Sequence, residues 1–192
     1  QPSANLSIQV VHYPINRGKG GAIKAGVEAV EAKNYGFVDA DLAYGPELVP
    51  LMLAKLDDSD LVLAQRQPSK EASLYQRWRN FLSGSLQAVA NYLVGLPKLE
   101  TQRGCKFFKA AVAKEVILKT TENHFAFDVE VIARALQLKF RLSLVPVDFQ
   151  HGSGSTVTWR DGLRYLFDVV AIADRLHHQA GRRFWRRLAG WL

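Results

Sequence analysis

The sequence predicts an α/β domain with a mostly parallel sheet covered by helices on both faces. Three observations predict it. Short apolar runs alternate with segments of helical period, in the order strand, helix, strand, helix, strand over the first third of the chain. Two of those runs end abruptly in charge, at Asp39-Ala40-Asp41 and at Gln65-Arg66. A length of 192 residues at 48% hydrophobic is enough for one core. In such sheets ligands lie beyond the carboxyl ends of the strands, so both charged ends fall where chemistry is expected.

The elements follow in order. Leu6 to Tyr13 alternates loosely as a strand and is stopped by Pro14. Ala22 to Lys33 carries Ile23, Val27 and Val30 as a helical stripe, and Tyr35 to Val38 reads as a strand. Pro46 suits the first turn of a helix running to about Leu56, before a second apolar strand from Asp60 to Ala64. Leu74 to Val94 is the longest helix pattern, with Tyr75, Trp78, Leu82, Leu86, Val89 and Leu93 at helical spacing until Gly95-Leu96-Pro97 ends it. Asp128 to Leu138 is helical, and Leu142 to Phe149 is a strand whose Pro146 calls for an edge or a bulge. After a polar loop from His151 to Thr156, a helix is expected from Trp159 to about His178. A break follows near Gly181, then a last helix from Arg182 to Leu192. The natural division is residues 1–158 as the α/β domain and residues 159–192 as basic amphipathic helices.

Bulk properties narrow the partners. A formal charge of +7 and a pI near 9.6 favour an anionic one: nucleotide, nucleic acid or lipid head group. No nucleic-acid-binding module is recognisable, so nucleic acid is not expected. The single cysteine excludes an internal disulfide and fits a reducing compartment. No apolar stretch reaches the ~18–20 residues needed to cross a bilayer, and no signal-peptide pattern opens the chain.

Five segments carry candidate chemistry. Asp39 and Asp41, one residue apart at a strand end, can grip one divalent cation and leave positions for diphosphate oxygens. Paired acids in loops are also common solvated groups, and spacing alone admits both. Asn16-Arg17-Gly18-Lys19-Gly20-Gly21 opens a helix; its amides and the cations Arg17 and Lys19 suit a phosphate, or it is a flexible loop capped by Asn16. Arg66 closes a strand, and its guanidinium fork matches a phosphate or is an exposed strand end. Arg79 and Ser83, four apart, share a helical face that either binds an anion or is solvated. Phe127-Asp128-Val129-Glu130 opens a helix, with Asp128 a cap or a site acid; Asp128 and Glu130, two apart, point in different directions.

Together with Thr101-Gln102-Arg103-Gly104-Cys105-Lys106, Val145-Pro146-Val147 and the fuller run Phe125-Ala126-Phe127-Asp128-Val129-Glu130, these segments resemble the family 2 inverting glycosyltransferases of GT-A fold. The branch they resemble is the polyprenyl-phosphate glycosyltransferases, which includes dolichyl-phosphate glucosyl- and mannosyltransferases. The resemblance runs from about Val10 to Val170. It implies a hexosyltransferase that uses a nucleotide sugar (UDP-glucose or GDP-mannose), a polyprenyl phosphate acceptor and Mg2+ or Mn2+.

The resemblance also assigns roles. Asp39 and Asp41 become the metal clamp, with Asp41 also catalytic. Arg17, Gly18, Lys19, Asp39 and Ala40 lie at the nucleotide, with the glycine-rich segment packing beneath it. Arg66, Arg79 and Ser83 hold the acceptor phosphate, Gln102 meets sugar hydroxyls, and Lys106 is a mobile cation nearby. Asp128 is counted with Asp41 as catalytic and positions the acceptor or senses the metal, because a lipid phosphate is mostly ionised at neutral pH and needs little base assistance. Two departures from the pattern stand out: Ala43 replaces a further Gln ligand, and Arg103 and Cys105 replace the usual Cys and Phe. Cys105 reads as a packing residue.

The family normally begins with two further strands and a helix that hold the base and ribose, so the chain is expected to lack them. The cluster Arg182-Arg183-Phe184-Trp185-Arg186-Arg187, followed by Leu188 and Leu192, reads as lying on an anionic membrane surface or as a packed terminal helix. The implied location is the cytoplasmic face of a membrane, peripheral or anchored through segments outside this chain. An enzyme of the same fold with a soluble or polysaccharide acceptor, and a non-catalytic membrane-surface module, are the alternatives.

Overall fold

The computed structural model describes residues 7–39, 45–66, 74–147 and 159–189, with the side chains of residues 66, 74–83, 159, 160 and 179–189 left out. Four strands form one sheet: β1 (Asn34–Val38), β2 (Leu61–Arg66), β3 (Cys105–Lys109) and β4 (Leu142–Val147). Their spatial order is β1-β3-β2-β4. The β2–β4 ladder is parallel, whereas β3 runs antiparallel to both β1 and β2. Three strands therefore point one way, and the reversed strand sits between two of them.

Alternation along β2 and β3 divides the core between the two faces. Leu61, Leu63 and Phe108 face the larger cluster, made with α3 (Leu74–Val94), α5 (Phe127–Gln137) and α6 (Trp159–Ala189). Val62, Ala64, Cys105 and Phe107 face the other way, onto Leu48, Met52 and Leu56 of α2 (Leu48–Lys55) and the turn after it. Burial on both sides explains why β2 reads as an unbroken apolar run. Helix α1 (Gly18–Ala29) adds Val27 to the larger cluster, and the short α4 (Ala110–Glu115) follows β3 directly.

Several expectations are corrected. β3 was not expected as a strand. Residues 7–13 form no strand; Ile8 and Val10 are 83% and 85% exposed, and no described strand pairs with that segment. α1 starts four residues before the expected Ala22, because Gly20 and Gly21 bury by close approach rather than by side-chain size, and it ends at Ala29, leaving Val30 as the residue after the helix. The break near Gly181 is absent: α6 is continuous to Ala189, since a single glycine costs a helix only about 1 kcal/mol. His177 and His178 accordingly lie within α6 rather than at a helix end, with His177 Nε2 3.3 Å from the Leu93 carbonyl. Pro146 does occupy an edge strand.

α6 packs on α3 and α5, burying Tyr165, Val169, Ile172, Ala173 and Leu176. Its opposite stripe leaves Leu163, Phe167 and Val170 exposed at 48%, 73% and 50%. α3 exposes Val89 and Tyr92. Among the described residues, no helix is long and apolar enough to cross a membrane.

Candidate active site

Three elements bring charge to one end of the sheet. β1 delivers Asp39 just past its last residue, the start of α1 delivers Lys19, and the first turn of α5 delivers Asp128. Lys19 Nζ lies 3.1 Å from Asp39 Oδ1 and 3.0 Å from Asp128 Oδ2. The other Asp128 oxygen lies 2.8 Å from Lys106 Nζ. Both ammonium groups also stand 5.3 Å from the centre of the Phe37 ring, a favourable cation–π distance.

The two lysines respond differently to this shared acid. Burial works against the charge on Lys19, but Asp128 and Asp39 outweigh it and hold the amine above its ordinary value. Lys106 has no solvent exposure at all, and burial pulls its amine down despite the attraction of Asp128. The mobile cation expected at Lys106 is thus corrected. It is a rung of the central strand β3, cross-strand partner of Phe37, pinned between Asp128 and the Arg103 carbonyl.

Asp128 is not a helix cap. Ala126 occupies that position and no side chain caps the helix. Glu130, two residues on, faces elsewhere: it is fully buried, accepts from the Thr121 and Glu122 amides, and pairs with Arg134 at 2.7 Å.

The glycine-rich segment is used inward. Gly18 N donates to Asn16 Oδ1 at 2.8 Å and Gly20 N to the Asn123 carbonyl at 2.8 Å, which takes two amides away from any phosphate cradle. Gly18 has φ +72°, and a Cβ there would sit 2.5 Å from the Asn123 oxygen. The Arg17 guanidinium lies over the Tyr13 ring, 5.1 Å from its centre, rather than beside Lys19.

The loop between α3 and β3 supplies the opposite wall. Asn91 Nδ2 donates to the Leu99 carbonyl at 2.7 Å, and Gln87 Nε2 to Thr101 Oγ1 at 2.9 Å, so α3 fixes the loop before Gln102 emerges exposed. Asp39 N donates to the Gly104 carbonyl, and a Cβ at Gly104 would fall 2.0 Å from Asp39 Oδ2. Only glycine lets this loop lie against the acid. Cys105 beneath it is 1% exposed, and burial pushes its thiol up to about 11, consistent with packing rather than nucleophilic chemistry.

Gly18, Lys19, Asp39, Gln102 and Asp128 line one cleft of about 450 Å³, together with His124 and Phe125, which sequence reasoning missed. Phe125 opens the run Phe125-Ala126-Phe127-Asp128-Val129-Glu130 without a role read for it, and the only signal for His124 is its place just before that run. A second hollow of about 480 Å³ between α1 and β1 is lined mainly by apolar side chains such as Ile23, Val27 and Phe37, and lacks the groups for chemistry. Ala40 and Asp41 lie outside the described residues, as do the side chains of Arg66, Arg79 and Ser83 and the loop from His151 to Thr156. The backbones of Arg66, Arg79 and Ser83 end β2 and run through the first half of α3.

Among the described residues, no group of three or more His, Cys, Asp or Glu side chains could hold a metal ion. Asp39 nevertheless offers a hard carboxylate donor, 40% exposed and facing the cleft, which is the donor chemistry of Mg2+ and Mn2+.

This fold is that of the GT-A sugar-nucleotide transferases. The structure superposes with TM-score 0.64 on glucosyl-3-phosphoglycerate synthase from Mycobacterium tuberculosis, solved with Mn2+, UDP-glucose and phosphoglyceric acid; the match covers 84% of this chain and 57% of that one at 13% identity. The sequence profile described as Glycosyl transferase family 2 matches residues 2–117, more than half of the chain, and the protein belongs to that family. It is 28% identical over 184 residues to a dolichyl-phosphate beta-glucosyltransferase of Dictyostelium discoideum, covering 91% of this chain and 56% of the relative. It is 26% identical over 148 residues to an undecaprenyl-phosphate mannosyltransferase of Micrococcus luteus, covering 74% of this chain and 61% of the relative. The chain spans little more than half the length of the curated relatives it matches.

Proposed function

We propose that this chain carries the transfer site of a hexosyltransferase. It moves a hexose from UDP-glucose or GDP-mannose to a polyprenyl phosphate, with inversion at the anomeric carbon. The observation that carries the reading is the Lys19 bridge between Asp39 and Asp128, in a cleft that also contains Gln102. Membership of glycosyl transferase family 2 and similarity to two polyprenyl-phosphate glycosyltransferases support it.

The bond bookkeeping is that of a single displacement. An acceptor phosphate oxygen forms a bond to the anomeric carbon as the bond to the diphosphate oxygen breaks, with attack and departure on opposite faces. The acceptor is already anionic near neutral pH, so no side chain must remove a proton. Asp128, with both carboxylate oxygens held by ammonium groups, is equipped to hold geometry rather than to act as a base. Lys19 places a fixed positive charge where the departing diphosphate gains negative charge. Asp39, joined by Asp41, would hold Mg2+ or Mn2+, which when bound offsets charge on the leaving diphosphate. Arg66, Arg79 and Ser83 are assigned to the acceptor phosphate, and Arg17 to support beneath the nucleotide. The exposed stripe of Leu163, Phe167 and Val170 supports contact with a membrane surface, with the cytoplasmic face as the proposed side.

Calorimetric titration of UDP-glucose and GDP-mannose, with and without Mn2+, tests the reading, followed by transfer assays with undecaprenyl and dolichyl phosphate in detergent. Metal-dependent binding of one sugar nucleotide and an inverted glycosyl phosphate product are expected. Binding of neither nucleotide under any metal condition would overturn it.

A further inference from the structure

The loop between the turn Ile117–Lys119 and α5 is held far more firmly than a surface connection requires. On one side Glu130 accepts from the Thr121 amide at 3.1 Å and the Glu122 amide at 2.8 Å. Glu122 Oε1 in turn accepts from the Asn123 amide at 2.8 Å and the His124 amide at 2.7 Å. On the other side Lys24 Nζ donates to the Thr120 carbonyl at 2.7 Å, the Glu122 carbonyl at 3.2 Å and Asn123 Oδ1 at 2.8 Å. Gly20 N and Phe127 N take the carbonyls of Asn123 and His124. Four consecutive amides and four carbonyls are thus satisfied by fixed partners.

This fixed loop holds Phe125 57% exposed at the wall of the cleft. A phenyl ring on a mobile loop can fold back onto apolar surface; here the backbone is tied and the ring stays in solvent. Beside it stand exposed His124 and, on the facing loop, Gln102, both able to donate and to accept hydrogen bonds. One apolar aromatic face flanked by groups of mixed hydrogen-bonding character is complementary to a pyranose, which presents C–H bonds on one face and hydroxyls around its rim. The electron-rich face of the phenyl ring attracts those C–H groups, as it attracts the edges of other rings.

We propose that Phe125 is the platform for the transferred hexose, with His124 and Gln102 as partners for its hydroxyls. This rests on the hexosyltransferase reading and specifies which residues of the cleft bind the sugar. Phe125 is a positioning residue: it fixes the ring so that the anomeric carbon lies next to the diphosphate at Asp39. A nucleobase is the other flat ligand an aromatic face could take. The hexose is favoured because Gln102, Asp128 and Asp39 line the same cleft, and the base is separated from the diphosphate by the ribose.

Saturation-transfer NMR and calorimetry on the wild type, Phe125→Ala and Phe125→Tyr separate these ligands, with UDP-glucose against UDP and GDP-mannose against GDP as the probes. In the wild type, saturation of protein aromatic protons should reach the hexose ring protons. Phe125→Ala should remove that transfer and weaken the sugar nucleotide about tenfold, leaving the bare nucleoside diphosphate unchanged, and Phe125→Tyr should restore both readouts. Equal weakening of sugar nucleotide and bare nucleotide, or loss of transfer to base protons instead, overturns the proposal. So does an unchanged Phe125→Ala variant. Wild-type protein that binds the bare nucleoside diphosphates but neither sugar nucleotide also overturns it. Wild-type protein that binds none of the four probes sinks the hexosyltransferase reading itself, an outcome distinct from the others. The wild-type ring is 57% exposed, so the melting temperature of Phe125→Ala should match the wild type and exclude unfolding as the cause.

Discussion

Lys106 and Asp128 form an ion pair of 2.8 Å between a strand and a helix, with the lysine side chain 0% and the carboxylate 3% exposed. Removing one partner of such a pair leaves an uncompensated buried charge, at a cost of about 3–5 kcal/mol. The two substitutions are not equivalent. Lys106→Met leaves Asp128 still neutralised by Lys19, whereas Asp128→Leu strands Lys106 inside the sheet with no second acid within ion-pair distance among the described residues. Urea denaturation should rank Asp128→Leu as the more damaging, and the Lys106→Met/Asp128→Leu double variant should recover part of the loss. Additive single effects would show that the pair is not coupled.

Gly104→Ala targets the fit between the α3–β3 loop and Asp39. The added methyl would overlap Asp39 Oδ2, so the carboxylate must swing away or the loop must lift. Sugar-nucleotide and Mn2+ affinity should fall at least tenfold, with a melting temperature lowered by only a few degrees because the change lies at the end of the sheet. Retained affinity would show that the position of Asp39 is not set by this contact.

The stripe Leu163, Phe167 and Val170 should report on membrane contact. Replacing Phe167 with Ser removes the most exposed of the three side chains, 73% exposed, and should lower binding to phosphatidylglycerol vesicles about tenfold or more. Sedimentation at low and high salt separates this apolar contribution from that of the arginines at 182, 183, 186 and 187. Unchanged sedimentation of Phe167→Ser would remove α6 from the proposed membrane surface.

Asp60 joins the starts of β2 and β4. The Arg141 amide donates to its Oδ2 at 2.8 Å and, with the Arg141 guanidinium and Lys109, holds the carboxyl below its ordinary 3.8. A depressed carboxylate stabilises the fold above its unfolded value, and that stabilisation is lost as pH falls through the folded value. Asp60→Asn should therefore match the wild type in strong acid and be less stable from about pH 5 upward. A constant difference between the two proteins from acid to neutral pH would contradict the charge assignment.

Much of this architecture was legible because apolar periodicity marks elements that bury one face. The helix over Leu74–Val94 and the strand before Asp39 follow from that rule. β3 escaped it because its inward position holds Lys106, whose charge disguises a strand buried from Cys105 to Phe108, and because Cys-Lys-Phe-Phe is too short to show a period. Asp128 looked like a cap because helix starts favour Asp, and only the three-dimensional approach of Lys19, 109 residues away in sequence, reveals its partner. Phe125 belongs to a run that carries the family resemblance, but nothing in the sequence gives it a role, and His124 carries no pattern. Their importance comes from a loop tied by Lys24, Glu122 and Glu130, and no spacing rule encodes those contacts.

The register of β1 against β3 pairs Val38 with Cys105, so the segment that starts at Asp39 and the one that ends at Gly104 adjoin the same rung of one ladder. A one-residue insertion or deletion within β3 would turn Lys106 to the other face, one within β1 would turn Phe37 away from it, and either would pull the two segments out of step. Natural variants of this scaffold should therefore change length only beyond those rungs. Engineers who wish to graft a different donor or acceptor preference have the same freedom: they can lengthen the connections while leaving the five paired positions untouched.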